Sequence, residues 1–157
     1  MRVVEFVNLF LYALVAGVFW GTWFSLSRSM ASITPQTFLE VGRIMIQNLG
    51  TPMSLLIPAT LVTNLTVVVA LFRRKSRRAA VLATAAVVAL VLALIVTLAV
   101  NVPIDNQIHQ WTLASLPTDW SAIRDRWEFF HALRTFVALA GLGCVFASAL
   151  SVERITG

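Results

Sequence analysis

A histidine and an arginine lie three residues apart near the start of the last apolar stretch of the sequence. Imidazole gains and loses protons near neutral pH, and a guanidinium group donates hydrogen bonds to negative charge as it develops. Ionisable side chains are costly inside a membrane and usually have a function there. His131 is therefore the first candidate for a catalytic base, and Arg134 and Asn101 are candidate stabilisers of an oxyanion.

The surroundings of these side chains decide which roles they can take. Burial and a positive neighbour both favour the neutral imidazole, which is the form of His131 that accepts a proton. A histidine that only packs and hydrogen-bonds is the alternative. Arg134 can likewise extend towards the membrane surface, or pair with a carboxylate, without any part in chemistry.

Further polar and aromatic residues gather at the same end of the apolar stretches. From them we predict a set of substrate-binding residues: Trp127, Trp111, Asp105, Asn106, Ser25 and Gln47. Indole rings stack on flat aromatic molecules, although tryptophans also anchor membrane proteins at the interface. Glu128 and His131 have the Glu-x-x-His spacing of di-metal bundles, but those centres need this pair twice. The sequence has it once, so we predict no metal.

The composition indicates that a membrane surrounds these residues. Hydrophobic residues make up 59% of the 157-residue chain and charged residues 12%, whereas soluble domains carry about 25% charged residues. Four apolar stretches, at residues 3–26, 53–72, 79–100 and 129–150, are each long enough to cross a hydrocarbon core of about 30 Å as a helix. We predict an all-α fold, in which residues 1–157 form one integral membrane four-helix bundle.

A short amphipathic helix is predicted between the first two of these helices. Thr34 and Pro35 form a typical helix start, in which a capping side chain precedes a proline in the first turn. Phe38, Val41 and Met45 then share one face of the helix. We expect this helix on the membrane surface or folded over the mouth of the bundle.

Small residues recur every four positions on the first helix, at Ala13, Gly17, Gly21 and Ser25. This spacing lets two helix backbones approach closely in lipid. We therefore expect this face to pack inside the bundle, with a groove for a flat ligand as the alternative.

The basic residues predict the orientation in the membrane. The chain carries a net charge of +5, and five of its twelve basic residues lie in the short loop at residues 73–78. Such loops stay in the cytoplasm, which places both termini there as well, in the cytoplasmic (inner) membrane of a bacterium. Because the basic residues form no long stripe, the charge does not indicate a nucleic-acid partner. The expected partners are membrane lipid and a hydrophobic aromatic small molecule, and an oligomer is compatible with the sequence.

Two short motifs resemble those of a known family. Residues 101–106 read Asn-Val-Pro-Ile-Asp-Asn, which is similar to the Asn-x-Pro-[Leu/Ile]-Asn-x signature of the anthrone-oxygenase-like membrane proteins. The later Trp127-x-x-x-His131-x-x-Arg134-Thr135 resembles their second signature. In the N-terminal half, the residues that fit are Gly21, Ser25, Ser27, Gln47 and Pro52. One departure is that Asp105 stands where the signature has asparagine.

The resemblance implies a four-helix membrane fold and an oxidoreductase activity. Bacterial members mostly carry a domain of unknown function, and the fungal relatives oxidise anthrones to anthraquinones with O₂ and no obvious cofactor. The resemblance therefore implies that no cofactor is needed here. In the corresponding hypothesis, neutral His131 removes a proton from the carbon between two aromatic rings, and Arg134 and Asn101 stabilise the resulting phenolate.

Two further functional classes remain alternatives. The protein can instead bind a quinone, a lipid or a partner helix at the outer mouth of the bundle without catalysis. It can also be a purely structural small membrane protein.

Overall fold

Four helices of the chain are long and apolar enough to cross a membrane. They span Arg2–Met30, Pro35–Arg73, Arg77–Gln110 and Trp120–Ser151. The computed structural model describes residues 2–156, except for the side chains of Ala31 and of residues 152–156, and it contains no strand over that range. The predicted all-α class with four membrane-spanning helices is confirmed.

The long helices contain short irregular turns at defined points. Helix α1 covers Arg2–Gly21 and is continued by a π turn, Thr22–Leu26, and a 3₁₀ segment, Ser27–Ser32. Helix α2 covers Pro35–Arg73. Helix α3 covers Arg77–Val96, and a π turn at Thr97–Asn101 connects it to α4, Val102–Gln110. Helix α5 covers Trp120–Thr156.

The start of α2 is the one that the sequence predicts. The Thr34 hydroxyl accepts a hydrogen bond from the backbone N–H of Thr37 at 3.3 Å, and Pro35 opens the first turn. The helix then continues through Pro52 and Pro58 for 39 residues. The structure thus joins the predicted amphipathic helix and the predicted second span into one helix of about 58 Å. Since the hydrocarbon core is about 30 Å thick, one end of this helix extends well beyond it.

The core between α3 and the other helices is built on alanines. Helix α3 buries Ala79, Ala83, Ala86 and Ala93 on one face. These short side chains let α3 and α5 form the most extensive helix pair of the bundle. The buried Tyr12 hydroxyl of α1 donates a hydrogen bond to the Ala86 carbonyl at 3.0 Å.

Among the glycines described, the one with the least surrounding space is Gly141, and not a glycine of the predicted stripe of small residues on α1. A Cβ atom on Gly141 would overlap the Tyr12 hydroxyl and come within 2.9 Å of the Ala89 Cβ. On α1, by contrast, Gly17 and Gly21 are exposed, and a Cβ there would meet no atom within 4 Å. The prediction that this stripe packs inside the bundle is therefore wrong, because α1 turns its larger residues inward instead.

Replacing Gly141 by alanine should destabilise the protein. The added methyl group must displace the buried Tyr12 ring, and overpacking of this kind costs about 1–3 kcal/mol. Thermal unfolding in detergent should show a lower midpoint for Gly141→Ala. Gly143→Ala is the matched control on the same helix, because its Cβ meets nothing within 4 Å and alanine favours the helix. Equal midpoints for the two variants would contradict the packing described here.

Candidate active site

Two π turns shape the end of the bundle opposite the basic loop. A π turn adds one residue to a helical turn and often occurs at functional sites. The second π turn begins at Thr97 and ends at Asn101, and both side chains contact α5. The Thr97 hydroxyl accepts a hydrogen bond from Arg134 Nη1 at 3.0 Å. The Asn101 amide donates to the Trp127 carbonyl at 3.1 Å.

His131 and Arg134 form a buried hydrogen-bonded pair on α5. Residues three apart on a helix share a face, and Arg134 Nε donates to His131 Nδ1 at 3.0 Å. Only 1% of His131 and 8% of Arg134 are exposed. Because Nδ1 accepts this bond, the neutral ring carries its proton on Nε2. That Nε2 atom is buried and has no hydrogen-bond partner among the described residues.

The guanidinium group of Arg134 lies among aromatic rings rather than carboxylates. Its Cζ atom is 4.8 Å from the centroid of the Phe19 ring and 6.0 Å from that of Trp127. Among the described residues, no carboxylate oxygen lies within 4.0 Å of it. A buried cation with no adjacent counter-ion is costly in a membrane protein. The buried guanidinium of Arg134 therefore favours the binding of a molecule that carries an anionic group.

Trp127 links the pair to α4. Its ring stacks on the His131 imidazole, with 4.8 Å between centroids and 19° between planes. Its indole N–H donates to Asp105 Oδ1 at 2.8 Å. A continuous set of contacts thus runs from Asp105 through Trp127 and His131 to Arg134. One face of the indole is covered by the imidazole, so that face is not available to a ligand.

A cavity of about 580 Å³ lies beside these four side chains. This volume is within the usual range for a small-molecule site. Its walls are mainly apolar and come from every helix: Val18, Phe19, Leu26 and Met30 from the first membrane-spanning segment, Phe38, Met45, Ile46, Leu49, Met53 and Ile57 from α2, and Leu94, Leu98, Val102 and Ile108 from the third. Polar groups are concentrated on the α4 and α5 side.

The cavity opens to the outside of the bundle between α2 and the π turn and first residue of α4. Three residues four apart on α2, namely Gly50, Ser54 and Pro58, line it and are exposed. Leu98 and Val102, also four apart, line it from the other side and are exposed as well. Residues at this spacing lie on one helix face. The two faces therefore form the sides of a slot along the apolar surface.

A family model described as anthrone oxygenase matches residues 50–144, which is more than half of the chain. This chain belongs to the anthrone oxygenase family. The matched range contains Asp105, Trp127, His131 and Arg134, whereas Phe19 and residues 35–49 of α2 precede it. No curated protein and no solved structure matches the chain.

The structure of this anthrone oxygenase family member brings five of the predicted site residues together. His131, Arg134, Trp127, Asp105 and Asn106 all line the cavity. Their roles stay predictions, since geometry alone does not test them.

The four other predicted residues do not line the cavity. Asn101 is fully buried behind it and contacts the Trp127 carbonyl. Trp111 belongs to an apolar cluster with Met30 and Phe38, and its carbonyl accepts a hydrogen bond from Arg43. The two others, Ser25 and Gln47, are exposed.

Phe19 and Arg124 are among the cavity residues that sequence reasoning did not select. Phe19 is one of many aromatic residues in an apolar stretch, and nothing in its spacing distinguishes it. Arg124 lines the cavity and forms an ion pair with Asp125 at 2.7 Å. In the sequence, the only sign of its role was a basic residue three positions before the motif that begins at Trp127. Glu128, the carboxylate of the Glu-x-x-His spacing, lies 4.0 Å from the Arg124 guanidinium. No group of three or more metal-binding side chains occurs among the described residues.

The bond between Arg134 and His131 predicts a single tautomer of the imidazole. The chain contains two histidines, so ¹⁵N-histidine NMR of the His109→Gln variant reports on His131 alone. We expect the neutral ring with its proton on Nε2. Arg134→Met removes the donor to Nδ1, and the spectrum should then show a mixture of tautomers. A proton on Nδ1 in the protein with Arg134 intact would contradict the hydrogen bond described here.

Proposed function

We propose that the protein oxidises a flat aromatic substrate, such as an anthrone or a quinol, with O₂ in this cavity. The observation that carries the proposal is the buried His131–Arg134 pair beside an apolar cavity of about 580 Å³. Membership of the anthrone oxygenase family supports the same reaction class. An apolar cavity suits an aromatic ring system, and the N–H groups of His131 and Arg134 suit an oxygen atom attached to that ring system.

The donors stabilise the charge that forms when the substrate loses a carbon-bound proton. In an anthrone, the electron pair left on the carbon between the rings is delocalised onto the carbonyl oxygen as a phenolate. The N–H of His131 Nε2, which is buried and forms no hydrogen bond with a described residue, is the proposed donor to that oxygen, and Arg134 supplies positive charge. The hydrogen bond from Arg134 thus favours a donor role for His131 over the base role that the sequence suggested. Overall, the methylene group and O₂ become a carbonyl group and water.

The slot between α2 and the π turn that precedes α4 provides a route from the lipid. A polycyclic aromatic molecule partitions into the membrane, where the exposed faces around Ser54 and Leu98 lie on the apolar surface of the bundle. Such a substrate reaches the cavity sideways without crossing water. The walls of the slot then influence which molecules enter.

We further infer that the chain lies in a bacterial cytoplasmic membrane with both termini in the cytoplasm. The five basic side chains of the loop at residues 73–78 are all exposed, and the positive-inside rule favours the cytoplasm for a short loop with this many basic residues. At the opposite end, three arginines contact protein groups. Arg28 lies over the Trp23 ring at 5.9 Å, Arg43 bonds a carbonyl, and Arg124 pairs with Asp125. Local structure therefore accounts for these three charges on the outer side, but not for the exposed Arg126.

Oxygen uptake by purified protein tests the reaction. With anthrone as substrate, His131→Ala and Arg134→Ala should each lower kcat/KM by at least about 100-fold, because each removes stabilisation of the oxyanion. His109→Ala is the control of the same residue type, since His109 does not line the cavity. Size-exclusion profiles should show that all variants remain folded. Full activity in the first two variants would rule out the proposed site, and ligand binding without oxygen uptake would support the non-enzymatic alternative.

Narrowing the slot should reduce substrate entry. Ser54→Phe places a ring in the slot and should lower kcat/KM for anthrone by about tenfold, while a small quinol is less affected. Leu55→Phe is the adjacent control, because Leu55 is 70% exposed and does not line the cavity. Equal effects of the two substitutions on oxygen uptake would contradict entry from this side.

A further inference from the structure

Asp105 is the single carboxylate among the described residues that line the cavity. It lies in the first turn of α4, which begins at the π turn and carries a proline at its start. Ile104 and Ile108 on the same helix are buried in the apolar cluster at this end of the bundle. Because α4 is fixed on that side, Asp105 is held beside the cavity next to Trp127.

One oxygen of this carboxylate, Oδ2, is available to accept a proton. Oδ1 accepts the Trp127 indole N–H at 2.8 Å, whereas no described residue donates a hydrogen bond to Oδ2. No described lysine, arginine or histidine lies within 4.0 Å of either oxygen. The carboxylate is therefore oriented by one neutral donor and is not neutralised by direct contact with a cation.

The other polar groups of the cavity are poor proton acceptors. The described polar lining residues besides Asp105 and His131 are Thr22, Ser54, Thr97, Asn106, Arg124, Trp127 and Arg134. Hydroxyl, amide, indole and guanidinium groups do not accept a proton at neutral pH. The imidazole is also unsuited, since its Nδ1 lone pair accepts the bond from Arg134.

We propose that Asp105 removes the carbon-bound proton of the substrate, a role that rests on the proposed oxidation. Asp105 is the remaining described group of the cavity lining that can accept this proton. Trp127 is a positioning residue, because it holds the carboxylate through Oδ1 and leaves Oδ2 without a hydrogen-bond donor among the described residues.

The step balances with O₂ as the oxidant. The carbon–hydrogen bond breaks, the proton passes to Asp105 Oδ2, and the electron pair remains on the substrate as the phenolate-type anion next to His131 Nε2. Transfer of electrons to O₂ forms a carbon–oxygen bond, and the proton on Asp105 completes a hydroperoxide. Loss of the second carbon-bound proton with cleavage of the oxygen–oxygen bond yields the carbonyl group and water, and Asp105 is ionised again.

Hydrogen exchange without O₂ isolates the proton-transfer step. Purified protein is mixed with anthrone in D₂O under anaerobic conditions, and deuterium uptake at the methylene carbon is followed by NMR against a protein-free control. The wild-type protein should accelerate uptake. Asp105→Asn should reduce this acceleration by at least about 100-fold, in line with the loss of a general base, while Gln107→Ala, an exposed residue of α4 outside the cavity lining, should keep it.

Two further variants separate a chemical role from a structural one. Formate fits the space of a deleted carboxylate, so it should restore part of the exchange in Asp105→Ala and have no effect on Gln107→Ala. Trp127→Phe keeps the carboxylate but loses its orienting donor, and it should lower exchange by less than Asp105→Asn does.

The outcomes distinguish the two proposals. Exchange at the wild-type rate in folded Asp105→Asn, with oxygen uptake intact, would overturn the role of Asp105 and leave the oxidation standing. A lack of formate rescue in folded Asp105→Ala would also count against a proton acceptor at this position. If the wild-type protein neither exchanges the methylene protons nor consumes O₂ with anthrone, both proposals fail.

Discussion

The hydrogen bond from Arg134 Nε to His131 Nδ1 determines the character of the site. It fixes the imidazole proton on Nε2 and holds a positive charge inside an apolar bundle. With no carboxylate within 4.0 Å of the guanidinium among the described residues, its positive charge is not compensated by direct contact. That imbalance is the physical reason to expect an anionic group, such as a phenolate oxygen, in the adjacent cavity.

The rest of this end of the bundle keeps that pair in place. The π turn between α3 and α4 positions Thr97 against Arg134 and Asn101 against the backbone of α5. Trp127 covers the imidazole and connects it to α4. Each polar group costs free energy in lipid unless it is hydrogen-bonded, so these partners stabilise a site that would otherwise be unfavourable.

The two ends of the bundle differ because their side chains differ in size. Near the basic loop, alanines on α3 and the glycine at position 141 allow close packing around Tyr12. Towards the other end, Leu94, Leu98 and Val102 face Gly50, Ser54 and Pro58 across an open slot. Close packing at one end maintains the fold, while the open end leaves room for a molecule that is soluble in lipid.

The sequence by itself determined the four apolar helices, the helix start at Thr34, and the candidate residues at the head of α5, because length, hydrophobicity and helical spacing are local properties. It also led to the anthrone oxygenase family through two short motifs. Only the tertiary structure decided that Phe19 joins the site while Ser25, Gln47 and Trp111 do not line the cavity, and that α1 turns its glycines outward. It also showed the donor from Arg134 at His131 Nδ1, from which the tautomer is predicted. These outcomes depend on how helices distant in sequence rotate and meet, and no local pattern specifies that rotation.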